Sequence, residues 1–443
     1  MYEIKAPNRI SATIVLPSSK SISNRALVIN ALAGNHELPE NVSDCDDTKV
    51  MIKWMATQLH QGGTPQSDTA DSSCGYPVPT GGGGPIDIGP AGTAMRFSTA
   101  LLAVTEGTHI ITGSERMKNR PIAILVDALR ELGAEVDYVE KEGYPPLKIT
   151  GNPHLEGGKL SLPGNVSSQY ISALLMIGPT LKQGLTLTLT DNIVSRPYIN
   201  LTLQLINDFG GKAGWADERT IEVAPQPYSH RHYFVESDWS GASYWYEIVA
   251  LSNDAEIVLP GLFKKSYQGD SKVAEIFDKL GVKTEFIDSF SDTMCKEGVR
   301  LTKSGKVCKR LDYDFVNQPD LAQTFVVTCC MMGVPFHFTG LQSLKIKETD
   351  RIEALKTELR KLGYVLQDRN DSELIWEGEK TEPLPDASID TYEDHRMAMA
   401  FAPCALRLPS IMINNPQVVS KSYPHYWEDL KTAGFLFMTA KKI

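Results

Sequence analysis

Four serines and two cations crowd into L-P-S-S-K-S-I-S-N-R, Leu16 to Arg25, at what reads as the opening of a helix. Hydroxyls and positive charge at a helix start suit an anion, because the first turn leaves backbone N–H groups without partners inside the helix. Comparable stretches recur. P-A-G-T-A-M-R (Pro90 to Arg96) couples a Gly-Thr turn to a helix start. N-V-S-S-Q-Y (Asn165 to Tyr170) sets two hydroxyls and an amide before an apolar helix, where a simple N-cap serine would serve equally well. K-E-T-D-R (Lys347 to Arg351) packs cations, carboxylates and a hydroxyl into one helix start; Glu348 there is either a proton carrier flanked by cations or a helix-dipole partner. D-H-R-M-A-M-A (Asp394 to Ala400) places His395 and Arg396 before another apolar helix, and a lone histidine is more often structural than catalytic.

Lys20, Arg25, Arg96, Arg120, Arg196, Lys347, Arg351, Arg396 and Lys421 all stand beside Gly, Ser or Pro at the starts and ends of elements. Any one of them alone reads as a solvated surface charge. Together, with no lysine run or helical stripe, they suit a small substrate bearing phosphate and carboxylate groups. Arginine grips such groups bidentately and lysine acts as a mobile point charge.

The background sharpens this pattern. The chain of 443 residues is acidic, with net charge −10, 42% hydrophobic and 22% charged residues. That is ordinary for a soluble two-domain protein and argues against a nucleic-acid or anionic-membrane partner, though not against a local basic pocket. No apolar run approaches the roughly 18 residues of a membrane span, and the N-terminus lacks the apolar core of a secretory signal. Seven cysteines without C-x-x-C spacing read as buried free thiols in a reducing cytoplasm rather than a disulfide or metal site.

The elements that position these residues repeat. An amphipathic helix runs into a glycine and then a short apolar strand at Gly133, Gly210, Gly281, Gly363 and Gly434, with a weaker copy near Gly62. The glycines are spaced by roughly 70–80 residues, which suits a repeated α/β unit rather than a solenoid. A terminal glycine fits a helix end that needs positive φ. Asp47-Thr48, Asp270-Ser271 and Asp350-Arg351 offer polar caps, and Pro121, Pro197 and Pro424 suit a first helical turn. Three copies precede the Pro-, His- and Ser-rich stretch 224–238 and three follow it. The expected organisation is therefore one lobe over 19–236, carrying a loop insertion at 61–89, and a second over 1–18 plus 237–443.

Nine motifs in order resemble the enolpyruvyl transferases: P-S-S-K-S-I-S-N-R, A-G-T-A-M-R, R-M-K-N-R-P-I, G-N-V-S-S-Q-Y, V-S-R-P-Y-I, S-Y-Q-G-D, K-I-K-E-T-D-R, E-D-H-R-M-A-M and S-K-S-Y-P. The resemblance implies an α/β fold of two similar lobes, each of three βαβαββ repeats forming an inside-out α/β barrel, with the active site in the interlobe cleft and closure excluding water. It implies transfer of the enolpyruvyl group of phosphoenolpyruvate to the 5-hydroxyl of shikimate 3-phosphate by addition and elimination, on the way to chorismate. It implies a cytoplasmic monomer with these small-molecule partners and no metal or organic cofactor.

By motif match, Asp320 would take the hydroxyl proton, although after Pro319 it also reads as an ordinary N-cap. Glu348 and Lys20 would carry protons at C3 and at the leaving phosphate. Phosphoenolpyruvate contacts would be Lys20, Gly92, Arg120, Gln169, Arg351, Arg396 and Lys421. Shikimate 3-phosphate would meet Lys20, Ser21, Arg25, Ser167, Ser168, Gln169, Ser195, Tyr198, Asp320, Ser343 and Lys347. Four positions depart from the family pattern: Ser18 replaces Gly, Pro90 and Ser343 replace Asn, and Phe97 replaces Pro. If position 18 needs positive φ, Ser18 should be strained. Positions around Gly92 and Phe97 influence glyphosate sensitivity in this family. The branch acting on UDP-N-acetylglucosamine is the alternative, but its loop cysteine is missing, since no cysteine lies between Cys74 and Cys295. An inactive anion-binding paralogue is the other, yet Asp320, Glu348 and Lys20 are all present.

Overall fold

The computed structural model describes residues 1–35, 37–58, 84–288 and 297–439. The chain divides into two compact units, one of Ser18–Val235 and one of Met1–Pro17 with Glu236–Ile443. Ser18 and Glu236 each fall one residue across the boundary expected from sequence.

Within Ser18–Val235, one sheet runs in the order Ile86–Asp87, Gly107–Thr112, Leu147–Gly151, Glu135–Tyr138. A second runs Gly158–Pro163, Leu185–Thr190, Thr220–Val223, Ala213–Trp215. In each, the first two strands are parallel and the other contacts antiparallel. A lone parallel bridge joins Glu40 and Phe234. Of the expected insertion at 61–89, residues 61–83 lie outside the described residues, as does Gly62, and Ile86–Asp87 is a strand rather than loop.

Among the described residues, the other unit holds three sheets of the same pattern. They are Ile10–Thr13, Ala255–Pro260, Gly298–Val307, Leu280–Ile287; then Leu311–Asp314, Phe336–Thr339, Glu373–Trp376, Gln367–Arg369; then Ser388–Ile389, Ile411–Ile413, Tyr2–Lys5, Leu436–Thr439. The N-terminal residues thus supply one strand to each of two sheets.

In four of the described sheets the chain runs from the first strand to the parallel second through an enclosed helix. In the fifth it leaves Ile10–Thr13, passes through the whole of Ser18–Val235 and returns through the enclosed helix Trp239–Leu251 to Ala255–Pro260. Gly92–Ala103 is buried at every residue but Thr93, Ser168–Ile177 at all but Gln169, and Trp239–Leu251 at all but Ser240. A helix apolar all round must sit inside the protein, and only its first turn reaches the solvent. The second helix of each repeat, such as Ala123–Glu131, Arg196–Asp208 or Arg351–Lys361, buries a single face. Each unit has its own core around these enclosed helices.

The repeat glycines have φ of +96° at Gly133, +86° at Gly210, +82° at Gly281, +91° at Gly363 and +95° at Gly434. Four of these ends share one closing bond, from the residue after the glycine to a carbonyl five positions back, as in Tyr364 N to Leu359 O at 2.9 Å. The expected caps divide. Asp350 accepts from Glu353 N at 3.2 Å and Pro197 lies in the first turn of its helix. Asp47 pairs with Lys20 instead, Asp270 lies in a 3-10 turn, and Pro121 and Pro424 each stand two residues before their helices.

Gly333, at φ +71°, has open space where a Cβ would go, whereas a Cβ on Gly363 would lie 2.6 Å from Thr381 O. Gly333→Ala should therefore cost about 1–2 kcal/mol from backbone strain alone. Gly363→Ala should cost clearly more, read as urea midpoints of the two variants side by side. Equal midpoints would show that the close approach to Thr381 is not a real constraint.

Candidate active site

Several of the predicted residues stand in the first turns of the enclosed helices: Lys20 and Ser21, Gly92, Ser168 and Gln169, and Arg396. In Ser18–Val235, Ser19 caps Lys20–Leu32 by accepting from Ile22 N at 3.4 Å. Lys20 Nζ sits 3.4 Å from Asp47 Oδ2. One turn on, Arg25 is 2% exposed. Its Nε donates to Thr202 Oγ1 at 2.7 Å, Nη2 to Ser172 Oγ at 3.0 Å and Nη1 to the Ser21 carbonyl at 2.8 Å. Its guanidinium lies 5.2 Å from the Phe97 ring and 6.0 Å from that of Tyr198. Among the described residues no carboxylate pairs with Arg25. Burial pulls its pKa down to about 10, against a small opposing effect of Tyr198. A buried guanidinium satisfied only by neutral oxygens is short of an anion.

Arg96 and Arg120 converge on Gly92. A Cβ there would lie 2.6 Å from Arg120 Nη1 and 2.8 Å from Arg96 Nη1, so a side chain would push the guanidinia aside. Gln169 donates to Thr93 Oγ1 at 3.0 Å. Ser167 is indeed an N-cap, accepting from Gln169 N at 3.4 Å, and Ser168 opens the helix. Ser195 precedes Arg196–Asp208 at φ +55°. The strain expected at Ser18 is absent, since that residue is buried without positive φ, and appears at Ser195 instead. Arg196 does not join the cluster: it stacks 3.9 Å from Trp215 and donates to Glu218 O.

In the other unit, Asp320 lies in a 3-10 turn and makes no helix cap. Its carboxylate faces Arg396 Nη2 at 3.0 Å, Arg351 Nη1 at 3.3 Å and Lys347 Nζ at 3.8 Å. Glu348 bridges Arg351 Nη2 at 2.9 Å and Lys421 Nζ at 2.7 Å. Burial would raise the pKa of both acids. The cations outweigh it, Arg396 foremost at Asp320 and Arg351 at Glu348, and both carboxyls stay ionised. Burial lowers the pKa of Lys347, with Asp320 partly restoring it. Ser343 lies in the 3-10 turn Gln342–Ile346 ahead of this cluster.

Sequence reasoning left Asp394 without a role. It is fully buried, receives Arg351 Nε at 2.7 Å and Nη2 at 3.3 Å, and caps His395–Phe401 by accepting from Arg396 N at 2.9 Å. Its place in D-H-R before an apolar run was the available signal. Ser172 and Thr202, which hold Arg25, carried none, because they stand in the middle of helices.

Beside this cluster, S-Y-Q-G-D ties down the start of Trp239–Leu251. Ser266 donates to Glu236, Gln268 bonds Trp239 N and Ser237 O, and Asp270 accepts from Ser240. Burial, with a contribution from Asp320 at Asp270 and from Asp238 at Glu236, pushes Asp270 and Glu236 each up to about 7. An unfolded carboxyl titrates near ~4. Between ~4 and 7 the unfolded chain gives up these protons first, so the contribution of these groups to stability falls as pH rises, then levels. Asp320 and Glu348 act oppositely, stabilising above ~4 and losing that effect as pH falls further. Asp270→Asn should match the parent at pH 4 and exceed it by on the order of 1–3 kcal/mol at pH 7 in urea unfolding. An equal difference at both pH values would show that Asp270 is not held neutral.

The sequence model of the family described as EPSP synthase (3-phosphoshikimate 1-carboxyvinyltransferase) matches residues 4–430. A protein of that name from Bacteroides fragilis is 59% identical over 434 residues, 98% of each chain. One from Vibrio atlanticus is 37% identical over 432 residues, covering 96% of this chain and 97% of the relative. Among solved structures, an EPSP synthase from Acinetobacter baumannii superposes with a TM-score of 0.74 at 20% identity over 99% of both chains. The enolpyruvyl transferase NikO of Streptomyces tendae superposes at 0.67 with 16% identity over 99% of both chains. These structures share the fold. With the family match spanning almost all of its length, the chain belongs to the EPSP synthase (3-phosphoshikimate 1-carboxyvinyltransferase) family.

Proposed function

We infer that this chain transfers the enolpyruvyl group of phosphoenolpyruvate to the 5-hydroxyl of shikimate 3-phosphate. The products are 5-enolpyruvylshikimate 3-phosphate and phosphate, formed in the cytoplasm on the way to chorismate. Family membership supports the reaction. The observation that carries the chemistry is Asp320, a carboxylate held ionised by Arg396, Arg351 and Lys347.

The reaction needs a base at the 5-hydroxyl, an acid at C3 and fixed cations around the phosphate and carboxylate oxygens. Asp320 takes the hydroxyl proton as the oxygen attacks C2. With three cations beside it, Asp320 is at first a weak base. The anionic groups of phosphoenolpyruvate compete for Arg351, Arg396 and Lys421, and as those cations turn to the substrate the basicity of Asp320 rises. Glu348 and Lys20 carry protons to C3 and to the departing phosphate. Lys20, Gly92, Arg120 and Gln169 complete the phosphoenolpyruvate contacts. Ser21, Arg25, Ser167, Ser168, Ser195, Tyr198, Ser343 and Lys347 hold shikimate 3-phosphate, with Arg25 receiving the anion that it lacks among the described residues.

The reading extends to the architecture: each unit is a set of three βαβαββ repeats in an inside-out α/β barrel, and residues of both units serve the one reaction. The five sheets of one pattern support it.

The test is phosphate release with both substrates. Shikimate 3-phosphate should give turnover and a UDP-sugar in its place should give none; the opposite result would overturn the assignment. Asp320→Asn should lower kcat by roughly 10²–10⁴-fold, the range of a general base, with the KM for phosphoenolpyruvate unchanged or lower because a competing carboxylate is gone. Arg120→Ala should raise that KM at least tenfold with a smaller effect on kcat. Similar small effects from both would mean the roles are misassigned.

A further inference from the structure

We propose that Tyr392 and Glu358 are positioning residues that latch the turn before Asp394, so that its carboxylate fixes the orientation of Arg351. The functional consequence rests on the reaction proposed above; the latch itself does not.

The turn is strained. Tyr392 has φ +53° and Glu393 φ +55°, two consecutive left-handed residues of types that rarely adopt that conformation. Such a turn persists only where its surroundings over-determine it. The first restraint is Glu358, which is fully buried. Its Oε1 accepts from Tyr392 Oη at 2.6 Å and its Oε2 from Asp390 N at 3.1 Å, while Lys361 Nζ lies 2.7 Å from Oε2. The second is Asp394 itself, whose N donates to Thr391 O at 2.8 Å and whose carboxylate receives Arg351 through two nitrogens.

The two restraints come from one helix, Arg351–Lys361. Residues 351 and 358 are seven apart, about two turns, and so lie along one face. That face grips the turn at Asp390 and Tyr392 with one residue and at Asp394 with the other. Because Asp394 also caps the helix that begins at His395, the turn sets the directions of both Arg351 and Arg396. A guanidinium binds a carboxylate or phosphate well only when its plane is held, so loosening the turn weakens the grip without removing any charge.

The experiment compares the full-length parent with Tyr392→Phe, Glu358→Gln and the double variant. Phosphate release gives kcat and both KM values, and hydrogen–deuterium exchange follows the peptide spanning 390–397. In Tyr392→Phe the KM for phosphoenolpyruvate should rise five- to twentyfold, with kcat and the KM for shikimate 3-phosphate within twofold. Exchange in that peptide should quicken at least tenfold, and the double variant should show less than the product of the single effects. Parent-like exchange in Tyr392→Phe would overturn the latch, and so would multiplying effects. A uniform loss of activity and Tm with no change confined to 390–397 would do the same, by reducing Tyr392 to general stability. If the parent released no phosphate with shikimate 3-phosphate, the functional reading would fail, while the exchange measurement would still decide the latch.

Discussion

Arg351 is a guanidinium 1% exposed that holds three carboxylates at once: Asp394, Glu348 and Asp320. Burial alone would lower its pKa, and those carboxylates, Asp394 foremost, raise it instead. Removing one partner from a buried ion pair typically costs about 3–5 kcal/mol, because the other charge is left uncompensated. The cluster therefore has to be complete before any substrate arrives. Arg351, Arg396, Lys347 and Lys421 face Asp320, Glu348 and Asp394, four positive charges against three negative, a net of +1. Two of those three carboxylates are also the proposed proton carriers, so the groups that keep the cations in place between turnovers are the ones the reaction uses.

The fold makes such a cluster possible by enclosing one helix per repeat. A helix buried on every side leaves only its first turn for polar chemistry, and that is where Lys20, Gly92, Gln169 and Arg396 stand. At the opposite ends, Ser168–Ile177 and His395–Phe401 run on into the 3-10 turns Gly178–Thr180 and Ala402–Leu406, and Lys20–Leu32 ends just before Gly34 at φ +68°. The residues proposed to meet substrate thus lie at the opposite ends of these helices from their structural closures.

How much of this was legible in the sequence follows from the range of each signal. The glycine repeat was readable because a helix end, a positive φ and an apolar strand are written within about a dozen residues. The cations were readable because they sit in short Gly-, Ser- and Pro-marked motifs. Partners supplied from elsewhere were not. Thr202 and Ser172 are separated from Arg25 by 177 and 147 residues, and nothing in a mid-helix hydroxyl announces a buried arginine. Asp47, read as a helix cap, belongs to Lys20 for the same reason, since capping is a local inference and ion pairing is not. The strain sought at Ser18 lies at Ser195 and at Tyr392-Glu393, because left-handed backbone at a non-glycine residue is set by what grips the chain on either side.

Arg25 and the cluster around Arg351 are held differently, and the difference has an energetic meaning. Arg25 is surrounded by hydroxyls and a carbonyl, so an anion that reaches it displaces no ionic partner and gains the full attraction of a poorly solvated charge. Arg351, Arg396 and Lys421 are already paired, so an anion there gains only the difference between its own contacts and those of Asp320 and Glu348. On the proposed mechanism, affinity is spent at the second cluster on displacing carboxylates, and that displacement leaves behind a base freed from its cations. Weak net binding and activation of Asp320 are then two sides of one exchange. A site that bound phosphoenolpyruvate more tightly by dispensing with those carboxylates would lose the group proposed to take the proton.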